Sequence, residues 1–172
     1  VAESDRAWHA GVSCWQGVTN INARSIGIEL VNPGHEFGYR DFPEAQMAAL
    51  IPLCRDIIAR HGIAARRILG HADVAPQRKE DPGERFDWQG LAAAGIGLWP
   101  SDTACLEACP TENALRAQLG RFGYGATPDV PFDKLITAFQ RHFRPRRVDG
   151  NADLETANRL ANLLALVENT PD

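Results

Sequence analysis

The chain has 172 residues, 44% hydrophobic and 23% charged, with a formal net charge of -4 at pH 7. That length holds one ordinary domain, or one domain and a small companion, and the composition is globular rather than disordered. The apolar runs fall short of the roughly 18 residues of a transmembrane segment, and the acidic balance argues against a nucleic-acid partner, whose affinity needs Lys and Arg facing phosphates.

The chain opens on Val1, and its first residues (VAESDRAW) lack the basic end and apolar stretch of a signal peptide. A processed or truncated N-terminus is the expectation. Residues 24–31 (RSIGIELV) place Ile26, Ile28 and Leu30 at period two, which predicts a strand. A helix follows, with Asp41 as cap, Pro43 in the first turn and Glu44 three residues after Asp41, as in a capping box. Met47, Leu50, Ile51, Cys54, Ile57 and Ile58 recur at helical spacing, and Gly62 supplies the stop. Ile68, Leu69 and Gly70 read as a short buried strand running into His71, and Asp87 caps a short helix reaching about Ala94. Strand, helix, strand, helix predicts an α/β fold over residues 1–99, with a mixed central sheet flanked by helices.

Periodicity disappears between Trp99 and Pro110 (WPSDTACLEACP), so residues 100–110 are read as a linker. Residues 111–172 read as a small three-helix bundle. Thr111 starts a helix carrying Leu115, Leu119 and Phe122 and ended by Gly123. A second carries Phe132, Leu135, Ile136, Phe139 and Phe143 as one stripe, and a third follows Asp149 and Gly150 with Ala157, Leu160, Leu164 and Val167. Asp149, Asn151 and Asp153 do not fit an EF-hand loop and read as a turn with a helix cap. Arg141, Arg144, Arg146 and Arg147 read as a solvated basic run able to meet anionic polymers. Cys14, Cys54, Cys105 and Cys109 include no CxxC pair; a Cys105–Cys109 bridge and reduced thiols both stay open.

The segment GHADVAPQRKEDPG (70–83) carries the densest chemistry. An imidazole, His71, and a carboxylate, Asp81, are ordinary donors for a catalytic zinc, which takes three protein ligands and leaves a position for water. Lys79 lies two residues before Asp81, able to set a positive charge where an oxyanion develops. Glu29 sits in an apolar run; facing a cleft it would serve as general base, and facing outward it is a solvated strand residue.

Three ordered blocks, RAWHAGVSCWQG (6–17), NARSIGIELVN (22–32) and GHADVAPQRKEDPG (70–83), resemble the zinc-dependent N-acetylmuramoyl-L-alanine amidases of the type-2 amidase family, related to the peptidoglycan recognition proteins. The stretches LRAQLGRFGYG, ITAFQRHFRP and VDGNADLETANRL look like a peptidoglycan-binding helical domain. The resemblance implies hydrolysis of the amide between N-acetylmuramic acid and L-alanine, with Zn²⁺ as cofactor and peptidoglycan or muropeptides as partners. It implies His71 and Asp81 as zinc ligands, Glu29 as general base and Lys79 as transition-state support. It places Trp8 and His9 along the substrate cleft, although His9 reads equally as a packed histidine. The family's first ligand, a His, precedes the RAWHAG-like block. None of the five residues before that block is His, so the expectation is a third ligand upstream of Val1 or on a separate N-terminal segment. The cell envelope, with the periplasm foremost, is the expected location, and a cytoplasmic recycling role stays open. Two rivals remain: a non-catalytic peptidoglycan-recognition protein and a different zinc hydrolase such as a peptidase.

Overall fold

The computed structural model describes residues 1–169, so the last three residues of the predicted helical unit lie outside it. Six α-helices lie along the described chain: α1 (Glu44–His61), α2 (His71–Val74), α3 (Trp88–Ala93), α4 (Glu112–Phe122), α5 (Phe132–Phe143) and α6 (Leu154–Glu168).

The predicted α/β architecture is wrong. No strand forms among the described residues; isolated bridges join Trp15 to Val18 and to Tyr124. Residues 24–33 are irregular, and Ile28 and Val31 are exposed, Val31 by 82%. A period-two pattern describes which side chains could share a face, but a strand exists only where a second one closes its ladder. Among the described residues none pairs with this segment. Ile68 to Gly70 is likewise irregular and runs directly into α2.

The expected capping box on α1 is absent too. The cap position is Pro43, two residues past Asp41, whose carboxylate instead pairs with Arg85 at 3.0 Å. At the other end Gly62 adopts φ 61° and donates its N–H to the Ile58 carbonyl, a left-handed stop that glycine enters without strain. Asp87 caps α3 as expected, accepting from the Gly90 N–H. Helices α1 and α3 cover a small core of Leu50, Phe86, Trp88, Leu91 and Ile96.

The larger core belongs to the last three helices and to part of the first hundred residues. Leu115, Leu119, Phe122, Leu135, Ile136, Phe139, Phe143, Ala157, Leu160 and Leu163 pack with Trp15, Ala72, Val74, Ala75 and Tyr124. Trp15 meets Phe122 and Tyr124 edge to face, with ring centroids 5.4 and 5.1 Å away. Gly123 permits this approach: a Cβ there would fall 2.5 Å from the indole, at φ 149°.

The basic run is no uniform surface. Arg144 is buried, facing Asp149 and Asp153 at 3.4 Å and Glu155 at 3.5 Å, while Arg146 and Arg147 stay exposed. Asp149 belongs to a turn, accepting the Asn151 N–H at 3.0 Å, and Asp153 caps α6 through the Thr156 N–H at 2.9 Å. The Asn151 backbone bond, with Gln140 and Arg147 beside it, holds the Asp149 carboxyl down at about 2. A depressed carboxyl stabilises the fold fully above its unfolded value, near 4, and loses that effect as pH falls through about 2. Asp149→Asn should therefore lower the urea midpoint most at pH 6, with the gap from wild type closing between pH 4 and 2. A gap independent of pH would show that the charge contributes nothing.

All four cysteines are free: Cys105 Sγ lies 3.3 Å from Asn158 Oδ1 and Cys109 Sγ 3.1 Å from the Ala152 carbonyl. No helix is long and apolar enough to cross a membrane among the described residues.

Candidate active site

His71 and Asp81 meet. Nδ1 of His71 lies 3.1 Å from Oδ2 of Asp81, and its Nε2 lies 3.1 Å from the Ala10 carbonyl. A neutral imidazole carries one N–H and one lone pair. With the proton on Nε2, donating to Ala10, the Nδ1 lone pair points at the Asp81 carboxylate. Two donors aimed into one gap suit a cation between them. A hydrogen bond from the far ring nitrogen to a carbonyl is the usual outer contact of a metal-ligating histidine. Among the described residues, no third His, Cys, Asp or Glu joins the pair as a metal-sized cluster.

Partial burial by itself would raise the Asp81 carboxyl. In the metal-free pair, with His71 protonated and Nδ1–H donating to Asp81, that hydrogen bond and charge, a backbone contact and the Lys79 charge outweigh it and hold the group below its ordinary value. Lys79 is thus electrostatically within reach of Asp81, and its own N–H bonds the Ala75 carbonyl at 3.0 Å. The two donor-bearing segments are joined directly, the Ala72 N–H donating to the Asp81 carbonyl at 2.9 Å.

The block around Trp8 and His9 borders this pair through its backbone. The Ala10 carbonyl, already facing His71, also accepts from Arg78 at 3.0 Å, and Arg78 reaches the Val12 carbonyl at 2.9 Å. Buried Asn22 accepts the N–H groups of His9 and Ala10, fastening the first block to the second. The His9 ring is packed: Nε2 lies 2.7 Å from Ser25 Oγ, and Gly27 lies so close that a Cβ there would sit 2.7 Å from the ring. Trp8 is 80% exposed, with the Arg6 guanidinium 4.3 Å from its ring centroid. Glu29 is exposed and makes no hydrogen bond or ion pair with any described residue. His71 and Asp81 thus come together with the Lys79 charge acting on Asp81, Trp8 and His9 directly precede Ala10, whose carbonyl faces His71, and Glu29 makes no hydrogen bond or ion pair with any of them.

Sequence reasoning missed the supports. Asp73, two residues after His71 and 1% exposed, receives the Gly70 N–H at 2.7 Å, the Tyr124 hydroxyl at 2.5 Å and His142 Nδ1 at 2.7 Å. Burial and the Asp73 charge in turn push the Tyr124 hydroxyl well above its ordinary range. The available signal was a carboxylate between Ala72 and Val74, which in an apolar setting must find donors. Near Asp81, Glu80 and Glu84 face His35 at 3.5 and 3.1 Å and Arg141 at 2.9 and 3.9 Å.

The sequence family described as N-acetylmuramoyl-L-alanine amidase (Amidase_2) matches residues 1–84. The chain is 45% identical to N-acetylmuramoyl-L-alanine amidase AmiD of Escherichia coli (strain K12), in an alignment covering 91% of this chain and 62% of that protein. It thus spans less than two thirds of that curated relative. The solved complex of the E. coli amidase AmiD with the substrate anhydro-N-acetylmuramic acid-L-Ala-D-gamma-Glu-L-Lys superposes with a TM-score of 0.88. The identity there is 42%, over 96% of this chain and 71% of that one. The crystal structure of AMPDH3 from Pseudomonas aeruginosa gives a TM-score of 0.90 at 38% identity, over 98% and 72%. The chain belongs to the type-2 N-acetylmuramoyl-L-alanine amidase family.

Proposed function

We propose that the protein hydrolyses the amide between N-acetylmuramic acid and L-alanine in peptidoglycan or muropeptides, with zinc held by His71 and Asp81. The single observation carrying this is the His71–Asp81 pair, two metal-type donors 3.1 Å apart on the family's matching segment. A catalytic zinc takes three protein donors; among the described residues this site supplies two of them, His71 and Asp81. When bound, zinc supplies a Lewis acid that polarises the scissile carbonyl and eases deprotonation of water.

The remaining work falls to the chain's own groups. Ala10 and Arg78 hold the rim and the His71 tautomer in place. Glu29, exposed and uncommitted, takes the proton of the attacking water and passes it to the leaving amine. Lys79 stabilises the developing oxyanion. Trp8 offers an exposed aromatic face to the sugar or peptide, beside His9. The helical tail keeps the enzyme on wall polymer and raises local substrate concentration, and the cell envelope is where it acts.

The test is incubation with zinc and either an anhydromuropeptide or purified peptidoglycan. Free stem peptide bearing an N-terminal L-alanine is the expected product. Peptide-bond cleavage would indicate a peptidase instead. Tight muropeptide binding without cleavage would favour the non-catalytic recognition reading.

A further inference from the structure

We propose that α5 acts as a splint for the metal site, with two consecutive residues, Arg141 and His142, each positioning the segment that carries one ligand. The proposal rests on the reading of His71 and Asp81 as metal ligands. It assigns to a tail helix a task at the reaction centre, separate from any hold on the wall.

The geometry is specific. His142 is buried, its ring stacked between Trp88 and Phe143 with centroids 3.8 Å from each. That sandwich fixes the ring plane and aims Nδ1 at Asp73, 2.7 Å away, on the same single-turn helix as His71. A four-residue helix has too few internal bonds to hold itself. Ala72 and Val74 pack it into the core, and Asp73 ties it across the molecule to His142 and Tyr124. One residue earlier, Arg141 leans to the other segment, reaching Glu80 at 2.9 Å and Glu84 at 3.9 Å, on either side of Asp81. His35 also pairs with both carboxylates, at 3.5 and 3.1 Å. Isolated surface ion pairs hold little, but Arg141 is largely covered and serves two acids at once, so it fixes a loop position. Both ligand segments are thereby referred to one rigid helix.

Three variants of the whole chain test this: His142→Phe, which keeps the stacked ring and removes the donor; Arg141→Met, which keeps the aliphatic stem and removes the cation; and Arg141→Lys, which restores a cation. The first measurement is amide hydrogen exchange without metal. His142→Phe is expected to speed exchange in residues 70–75, and Arg141→Met in residues 80–84, each by about tenfold or more, with α6 unchanged. The second is titration with cobalt(II), read by its visible absorption. Outer contacts of metal ligands typically govern affinity by 10–100-fold. Arg141 and His142 act beyond the ligands themselves, so both variants should weaken binding by about tenfold, the lower end of that range, and alter the band shape, with Arg141→Lys recovering part of the loss. Exchange indistinguishable from wild type, or equal cobalt affinity and spectra in all variants, overturns the splint. A wild-type chain that takes up no cobalt through His71, judged against His71→Ala, defeats the functional reading instead, and the exchange data still decide the splint.

Discussion

His71→Ala is expected to bring zinc content to background and amide hydrolysis with it. The imidazole is one of two adjacent donors, and its loss leaves Asp81 with no described metal-type partner. A single proton-transfer group typically supplies about 10²–10⁴ in rate. With His71 as a proposed zinc ligand, its loss should exceed that, because the Lewis acid and the activated water would go together. The fold should tolerate the change. His71 lies in a short helix whose buried anchor is Asp73, and the methyl of alanine keeps the backbone bonds of Gly70 and Ala72. Metal analysis, peptide release from muropeptide and circular dichroism check the three parts. Normal zinc content and cleavage in a folded variant would remove His71 from the site.

Phe139→Ala should cost about 3–5 kcal/mol, the range for emptying a large aromatic from a core. Phe139 is fully buried, with Phe143 and Tyr124 at centroid distances of 5.1 and 6.4 Å. Domains of this kind are stable by about 5–15 kcal/mol, so the variant should sit near the edge of folding at 37 °C. The urea midpoint at constant slope measures it. A loss under about 1 kcal/mol would mean that the helices repack around the hole.

Helices were legible in the sequence wherever spacing, cap and stop agreed. Thr111, Asp87 and Gly62 all act at the ends where the sequence puts them, and the cap expected among Asp149, Asn151 and Asp153 is Asp153. Leu135, Ile136, Phe139 and Phe143 form the buried stripe their spacing predicts. The sheet was misread because alternation in RSIGIELV records a face, and the partner that makes a strand is a long-range fact no local pattern carries. Asp41 failed for a smaller reason: the helix starts past Pro43, too far on for that carboxylate to cap.

At the site, His71 and Asp81 were legible because residue types and family blocks pointed to the same chemistry, and the structure sets them side by side. Asp73, Arg78, Arg141 and His142 were not. Their roles depend on partners 51 to 69 residues away, as with Tyr124 and His142 on Asp73. Arg141 and Arg144 were misjudged as solvated for the same reason, since their carboxylates lie on other segments or around the next turn.

Trp15 has a practical consequence for anyone dividing this molecule. Its indole is wedged among Phe122, Gly123 and Tyr124, and Ala72, Val74 and Ala75 line the same interior. Severing the polypeptide at the composition change near residue 110 would split that interior, leaving both fragments with raw greasy faces prone to clumping. Shortened versions should keep every helix through α6.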